Sequence, residues 1–346
     1  MDLVDITNAD LIENNDAKNV TLKSNSSCSS RTSYTEEDNI DCEEFESRSL
    51  SNKSSSVKDD ENANNDDDES TVWEDEDEDE DEDDLSSFEE ERINVVIPKF
   101  PIQLICMENC EDTFDNLILE NDLSQEEWLS ALMQIIMILI TYQKAFHFTH
   151  NDLHTNNVMY NKTNEKFIYY CYKKKYYKVP TFGRIFKIID FGRSIYKFDG
   201  KLFCSDSFQP GGDAATQYNT EPYLNEKKPR LEPNYSFDLC RLACSIFDYI
   251  VEDFDEIKNL SKCKDPVKKI IVEWCLDDKG LNMLYKGNGV DRYPDFKLYK
   301  MIARCVHKHT PQAQLERPEF NAFSNFKGEI PNESNLIDID NIPVYI

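Results

Sequence analysis

Residues 150–157 of the chain read His150-Asn151-Asp152-Leu153-His154-Thr155-Asn156-Asn157, and the prediction of the fold rests mainly on them. This stretch follows a long apolar segment and precedes a short apolar run that begins at Val158. Asp152 and Asn157 therefore stand five positions apart, between two elements that the pattern predicts to be buried. A carboxylate can orient the proton of an attacking hydroxyl, and an amide a short turn away can hold a magnesium ion that bridges phosphates. The stretch thus contains the residue types that phosphoryl transfer requires.

A second stretch further along the chain reads Lys187-Ile188-Ile189-Asp190-Phe191-Gly192. An aspartate at the end of a β-forming run can chelate Mg²⁺, and Gly192 lets the backbone turn away from the metal at no steric cost. Alone, such a stretch is often just a turn after a strand. In this order, and with a predicted hairpin between them, the two stretches together form a specific pattern.

This pattern resembles the eukaryotic-type protein kinase superfamily, especially the divergent kinase-like proteins of large DNA viruses, from about Ile93 to Phe326. The resemblance implies that Asp152 is the catalytic aspartate and that His154 lies near the transferred phosphate. It also implies that Asn157 and Asp190 are the ligands of Mg²⁺ and that the phosphoryl donor is ATP.

The adenine site is implied by the run Ile105-Cys106-Met107-Glu108-Asn109-Cys110, which resembles the hinge strand of the family. By this resemblance Met107 is the gatekeeper beside the adenine, and the backbones of Glu108 and Cys110 lie within its reach. A short apolar run such as Ile102 to Met107 is also compatible with an ordinary core strand.

Two downstream segments resemble the large lobe of protein kinases. Phe237 to Cys244 resembles a buried helix whose leading Asp238 holds the catalytic loop in shape. Arg317 resembles the arginine that pairs with a glutamate at the end of the activation segment, and Glu221 is the candidate partner. Both features favour a protein kinase over the sugar and choline kinases.

Other positions depart from the family pattern. Asn151 stands where most protein kinases have an arginine, so we expect the phosphate-sensing switch of the activation loop to be absent. His154 replaces the lysine that is usual two residues after the catalytic aspartate, a substitution familiar in atypical and small-molecule kinases. No glycine precedes Gly183, so we expect no glycine-rich loop from within this chain, and only a truncated small lobe fits before the hinge.

Local patterns predict two further elements. A helix should run from Ser124, whose spacing to Glu127 is that of a capping box, to about Phe146. The runs at 158–160 and 185–189 predict a hairpin with an elaborated tip rich in tyrosine and lysine. Such a tip ordinarily covers the hydrophobic body, but it has the composition to stack on nucleic-acid bases or to hold an acidic segment.

The charge is concentrated at the beginning of the sequence. Residues 1–91 hold 33 of the 68 acidic residues and only six of the 38 basic ones. An unbroken acidic run from Glu74 to Asp84 would repel itself in a compact state, so we expect 1–91 to be disordered. A solvating role is the ordinary interpretation; docking of a basic partner protein or mimicry of nucleic acid is the alternative.

Eleven cysteines occur without a Cys-x-x-Cys pair, which indicates reduced thiols in a cytoplasmic compartment, with the nucleus not excluded. The longest apolar stretch, Ala131 to Ile140, falls short of the roughly 20 residues of a membrane span, so we expect no membrane association. Binding of nucleic acid is not expected.

We therefore predict an α+β protein-kinase-like fold with a helical large lobe, a truncated β-rich small lobe and a disordered acidic N-terminal region. The predicted parts are 1–91 (acidic region), 92–122 (partial small lobe and hinge), 123–326 (large lobe) and 327–346 (C-terminal tail). The predicted function is ATP-dependent phosphorylation of serine or threonine in a protein substrate. The alternatives are a weak or inactive pseudokinase scaffold and a small-molecule kinase.

Overall fold

A computed structural model describes residues 99, 101, 104–257, 260–326 and 336–346. The predicted acidic region at 1–91 lies outside these residues. The described residues fall into two units, one of 108–346 and the other ending at Met107. All helices and strands named below belong to the first unit.

The described part mixes helices with small sheets, which agrees with the predicted α+β class and with a kinase-like fold. Its helices are α1 (Phe114–Glu120), α2 (Gln125–Phe146), α3 (Phe237–Ile250), α4 (Phe254–Ile257), α5 (Pro266–Trp274), α6 (Lys297–Cys305), α7 (Pro311–Gln314) and α8 (Pro318–Asn321). Its strands are β1 (Asp112–Thr113), β2 (Val158–Lys162), β3 (Phe167–Tyr172), β4 (Lys175–Pro180), β5 (Arg184–Ile188), β6 (Ile195–Phe198), β7 (Lys201–Cys204) and β8 (Leu336–Asp338).

The central helix α2 begins and ends where the sequence predicts. The backbone N–H of Glu127 donates to Ser124 Oγ at 3.3 Å, and that of Ser124 donates to Glu127 Oε2 at 3.0 Å, so the capping box is complete. By length and composition α2 is apolar enough to cross a membrane, but 67% of its most apolar window is buried inside the protein. It serves as a core helix.

The core forms one hydrophobic cluster around α2, α3 and α5. Leu132, Ile135 and Ile136 of α2 are fully buried, as are Leu242 and Ile246 of α3. Each such side chain contributes about 1.5–3 kcal/mol when it is removed from water. Helix α5 contacts both α2 and α3, so a single core holds these helices together.

The predicted hairpin between the two motifs is confirmed. Strands β2 and β5 pair antiparallel from Val158 opposite Ile188 to Lys162 opposite Arg184, and β1 extends this sheet beside β2. The pairing places the residue before β2, Asn157, next to the end of β5. Strand pairing is thereby what brings the two motifs together.

The insertion at the hairpin tip is folded rather than loose. Strands β3 and β4 form a second antiparallel hairpin, and β8 pairs parallel to β3, with Tyr170 opposite Ile337. Tyr170 and Tyr177 are buried in the core cluster, which agrees with the expectation that tyrosines here cover the hydrophobic body. Asp340 accepts the backbone N–H groups of Lys173 and Lys174, both at 2.8 Å, and so ties the C-terminal segment to the β3–β4 turn.

The predicted strand at 102–107 is wrong for its described residues. Residues 104–107 have no strand structure, and Leu104, Ile105 and Met107 are 74%, 81% and 71% exposed. A strand needs hydrogen bonds to a neighbouring strand, and no strand of the described part pairs with this run. The apolar composition of the run indicates a strand, but it does not show whether a neighbouring strand is there to pair with it.

Candidate active site

Asp238 holds the catalytic-loop stretch, as the resemblance implies. It lies fully buried in the first turn of α3. Its Oδ2 accepts the backbone N–H of His150, and its Oδ1 accepts that of Asn151, both at 2.9 Å. Burial raises the pKa of the Asp238 carboxyl, while the two N–H groups oppose that shift. The backbone that leads into Asp152 is therefore anchored to the core.

Asn151 is a second fixed point of the loop. Its backbone is left-handed with φ of 65°, a conformation that asparagine tolerates better than most residues. Its Nδ2 donates to the backbone oxygen of Arg193 at 2.9 Å, and the Tyr218 hydroxyl donates to its Oδ1 at 2.7 Å. The side chain thus joins the loop to the segment that follows Asp190. Sequence reasoning missed Tyr218.

His150 connects the two motifs directly. Its Nε2 lies 2.8 Å from the backbone oxygen of Ile189, and its Nδ1 lies 3.3 Å from the backbone nitrogen of Asp152. Because a backbone N–H can only donate, Nδ1 is the acceptor and Nε2 carries the proton. The imidazole also packs against Phe191, with ring centroids 5.7 Å apart.

Two residues that the sequence did not indicate contact the catalytic candidate Asp152. The hydroxyl of Tyr299, from α6, donates to Asp152 Oδ1 at 2.6 Å, and Arg193 Nη1 lies 3.6 Å from Oδ2. Burial raises the pKa of Tyr299, so the hydroxyl stays protonated and able to donate. Arg193 directly follows the second motif, whereas Tyr299 is 147 residues from Asp152 in the chain and gave no local signal.

The two predicted metal ligands are held side by side by backbone pairing. The N–H of Ile189 donates to the backbone oxygen of Asn157 at 2.9 Å, which sets Asn157 beside Asp190. The Nδ2 of Asn157 donates to the backbone oxygen of Asp152 at 3.0 Å, so its amide oxygen is the atom available to a cation. Asp190 is exposed and left-handed with φ of 62°. A carboxylate with an amide oxygen fits Mg²⁺, which prefers hard oxygen ligands.

His154 is partly buried behind the loop. Burial and the neighbouring positive charge of Arg241 lower the pKa of His154 to about 4. At neutral pH the imidazole is therefore uncharged and offers at most a neutral N–H to a phosphate. The role that the resemblance gives to His154 stays a prediction.

The adenine-site residues have different surroundings. Glu108 accepts a hydrogen bond from Asn161 Nδ2 at 2.8 Å and forms an ion pair with Lys187 of β5. Cys110 is half-buried, and Met107 is exposed and belongs to the other compact unit. Their contact with adenine stays a prediction.

The predicted pair of Arg317 with Glu221 is wrong. Arg317 Nη1 lies 2.6 Å from Glu273 Oε2 in α5, whereas Glu221 pairs with Arg230. The reason is local packing, because the Trp274 ring stacks on that of Phe320 and holds the start of α8 against the end of α5. A nearer carboxylate therefore neutralises Arg317.

Comparisons with known proteins found partial similarity to protein kinases. The chain is 39% identical over 79 residues to the serine/threonine-protein kinase haspin of Mus musculus. The matched segment makes up 22% of the chain and 10% of that protein. The chain is 37% identical over 90 residues to haspin of Bos taurus, covering 24% and 12%. These similarities support membership of a kinase-like superfamily. The chain spans about a tenth of the length of these curated relatives, and no protein-family model matches it.

Proposed function

We propose that the chain is a protein kinase that transfers the γ-phosphoryl group of ATP to a serine or threonine hydroxyl of a protein substrate. The observation that carries this proposal is the double anchoring of the loop around Asp152. Asp238 holds it from the core, and His150 ties it to the end of β5 beside Asp190. A scaffold without chemistry does not require a carboxylate and an amide at these positions.

Asp152 orients the acceptor hydroxyl and takes its proton as the new P–O bond forms, while the bond between the γ-phosphorus and the β–γ bridging oxygen breaks and ADP leaves. The hydrogen bond from Tyr299 fixes Oδ1, which leaves Oδ2, on the side of Arg193, for the acceptor. Asn157 and Asp190 would hold Mg²⁺, which supplies charge neutralisation at the phosphates when bound. His154, neutral at physiological pH, would donate at most one uncharged hydrogen bond.

The finer parts of the proposal extend to the rest of the chain. Met107, Glu108 and Cys110 form the adenine side of the site, and the small lobe is truncated. The acidic region at 1–91 docks a basic protein, in a reducing cytoplasmic or nuclear compartment. The likeness to viral kinase-like proteins remains a proposal, since the similar proteins named above are mammalian.

A pseudokinase scaffold is the second candidate. It is favoured by the absence of glycine from the first 182 residues, because a glycine-rich loop and its lysine supply much of the charge stabilisation of the transferred phosphate. For the same reason slow turnover is expected even from an active enzyme.

The deciding experiment is Mg²⁺-dependent transfer of labelled phosphate from ATP to a pool of serine- and threonine-containing peptides. The purified chain is compared with Asp152→Asn and Asp190→Asn. Asp199→Asn is the matched control, because Asp199 is also an exposed, left-handed aspartate but lies outside the site. Transfer that the first two changes abolish and the control retains supports the kinase.

Failure of the wild-type chain to bind Mg²⁺–ATP would overturn the enzyme and leave the scaffold. Transfer to small hydroxylated molecules but to no peptide would instead favour a small-molecule kinase.

A further inference from the structure

Three positive side chains lie against two aromatic rings next to Asp152. The rings of Phe296 and Tyr299 stack with centroids 5.0 Å apart, and the Tyr299 hydroxyl reaches Asp152. Three cations lie against these rings and are called the cationic shelf here: they are Arg193, Arg241 and Lys300. The shelf thus begins at the catalytic carboxylate and extends along α6.

Each member of the shelf is held by the rings. The guanidinium carbon of Arg193 lies 5.6 Å from the Phe296 ring centre and 5.7 Å from that of Tyr299. Arg241 lies 5.0 Å from the Tyr299 ring centre, and Lys300 Nζ lies 5.7 Å from that of Phe296. Cation–π contacts fix the positions of these groups without neutralising them.

The positive charge of the shelf is only partly compensated. Arg193 has Asp152 as its ion-pair partner, and Arg241 forms a hydrogen bond with the Tyr299 side chain and feels the charge of Asp152, whereas within the described residues Lys300 forms no ion pair. The Nε of Arg241 is buried with no hydrogen-bond partner in that same part of the chain. Burial and the nearby charge of Arg304 lower the pKa of Lys300, as expected where like charges gather. An anionic ligand would supply the missing partner.

We propose that the cationic shelf selects acceptor peptides in which the serine or threonine is flanked by aspartate or glutamate. This inference rests on the proposed kinase function and adds a substrate class to it. A carboxylate beside the acceptor pairs with Lys300 or Arg241 while the hydroxyl approaches Asp152 Oδ2. Through Arg193 the shelf reaches Asp152 Oδ2, the oxygen left for the acceptor hydroxyl, and the peptide that carries this hydroxyl is therefore its proposed ligand.

The sequence of the chain itself contains an acceptor of this composition. Ser70 and Thr71 follow the acidic run from Asp66 to Glu69 and precede Glu74 and Asp75. A peptide with the sequence of residues 66–75 is therefore a suitable probe. Its comparison peptide replaces every aspartate with asparagine and every glutamate with glutamine, so that it carries no positive charge for the acidic region 1–91 to bind, and keeps the serine, threonine, valine and tryptophan.

The first measurement is binding of each fluorescein-labelled peptide to the full chain by fluorescence polarisation, which requires no turnover. The second is kcat/KM for phosphorylation of each peptide. We expect the acidic peptide to bind at least tenfold more tightly and to be phosphorylated with at least tenfold higher kcat/KM. The binding preference should weaken as salt is raised, because surface ion pairs are screened.

Substitutions in α6 test whether the shelf causes the preference. Lys300→Gln should weaken binding of the acidic peptide about three- to fivefold, and Lys300→Glu by more than tenfold, with KM affected and kcat nearly unchanged. Lys297→Gln is the matched control, because Lys297 is an exposed lysine in the first turn of the same helix. It should leave both quantities unchanged.

The outcomes separate the two proposals. Equal binding of the acidic peptide and its uncharged comparison peptide, or equal effects of Lys297→Gln and Lys300→Gln, would overturn the substrate class even in an active kinase. Selective binding that depends on Lys300 but is never followed by phosphate transfer would sustain the shelf as an acidic-peptide site and overturn the kinase function.

Discussion

Replacement of Asp238 is the most direct test of how the candidate site is built. Its two carboxyl oxygens accept the buried N–H groups of His150 and Asn151. A buried donor left without a partner costs about 1–3 kcal/mol, so Asp238→Ala should lower the free energy of unfolding by about 2–6 kcal/mol. Asp238→Asn keeps one acceptor oxygen and should cost about half as much. Either loss is large against a typical total of about 5–15 kcal/mol.

The free energies are measured by urea unfolding, followed by circular dichroism. Asp248→Asn is the matched control, because Asp248 lies on the same helix and accepts the Tyr285 hydroxyl at 2.9 and 3.0 Å near the surface. Its replacement should cost less than about 1 kcal/mol, since water can satisfy the remaining hydroxyl. The folded fraction of Asp238→Asn should also transfer phosphate more slowly, because the loop that carries Asp152 loses one anchor.

An unchanged stability of Asp238→Asn would contradict the proposed anchoring. If Asp238→Asn unfolds at the same urea concentration as the wild type, with an unchanged m-value, the two hydrogen bonds do not stabilise the loop. If Asp238→Ala does not fold at all, Asp238→Asn still supplies the comparison, because the two changes are predicted to differ in size.

Three further predictions concern other contacts. Tyr299→Phe should lower kcat about tenfold without changing the KM for ATP in initial-rate kinetics, because Asp152 loses the donor that fixes Oδ1; an unchanged kcat would contradict it. The pKa of His154 is about 4 in the folded chain, below its ordinary value of 6.5. As the pH falls, the imidazole is therefore protonated in the unfolded chain before it is protonated in the folded chain. Stability should therefore fall by up to about 3 kcal/mol as pH drops from 6.5 to 4, and urea titrations of His154→Asn without nucleotide should show a smaller fall. Ile339→Ala should lower the free energy of unfolding by about 2–5 kcal/mol, measured by thermal or urea unfolding, because Ile339 is fully buried. Ile337 is 38% exposed, so Ile337→Ala should lower it by less than about 1 kcal/mol. Equal losses for the two variants would contradict this prediction.

The features that the sequence predicted are those with a signal in neighbouring residues. Ser124 and Glu127 define the start of α2 because a capping box needs only four consecutive positions. The hairpin of β2 and β5 could be predicted because two apolar runs flank a polar insertion. The anchoring by Asp238 came from a resemblance, which carried information about a partner 88 residues away.

The features that escaped prediction depend on tertiary contacts. Nothing around Tyr299 in the sequence indicates that its hydroxyl meets Asp152, because that contact depends on how α6 packs against the loop. Arg317 pairs with Glu273 for a similar reason, since the packing of α8 on α5 decides which carboxylate is near. The run ending at Met107 has β-like composition, but composition cannot supply the neighbouring strand that a strand requires.

Asn151 shows how such contacts change the interpretation of a motif. The sequence shows only that an arginine usual at this position is missing. In the structure the asparagine side chain accepts the Tyr218 hydroxyl and donates to the backbone of Arg193. Both hydrogen bonds join neutral groups. They link the segment that follows Asp190 to the catalytic loop, and this link requires neither a phosphate group nor an arginine to bind it. Tyr218 and Asn151 are both buried, and the tie should therefore persist at salt concentrations that weaken surface ion pairs.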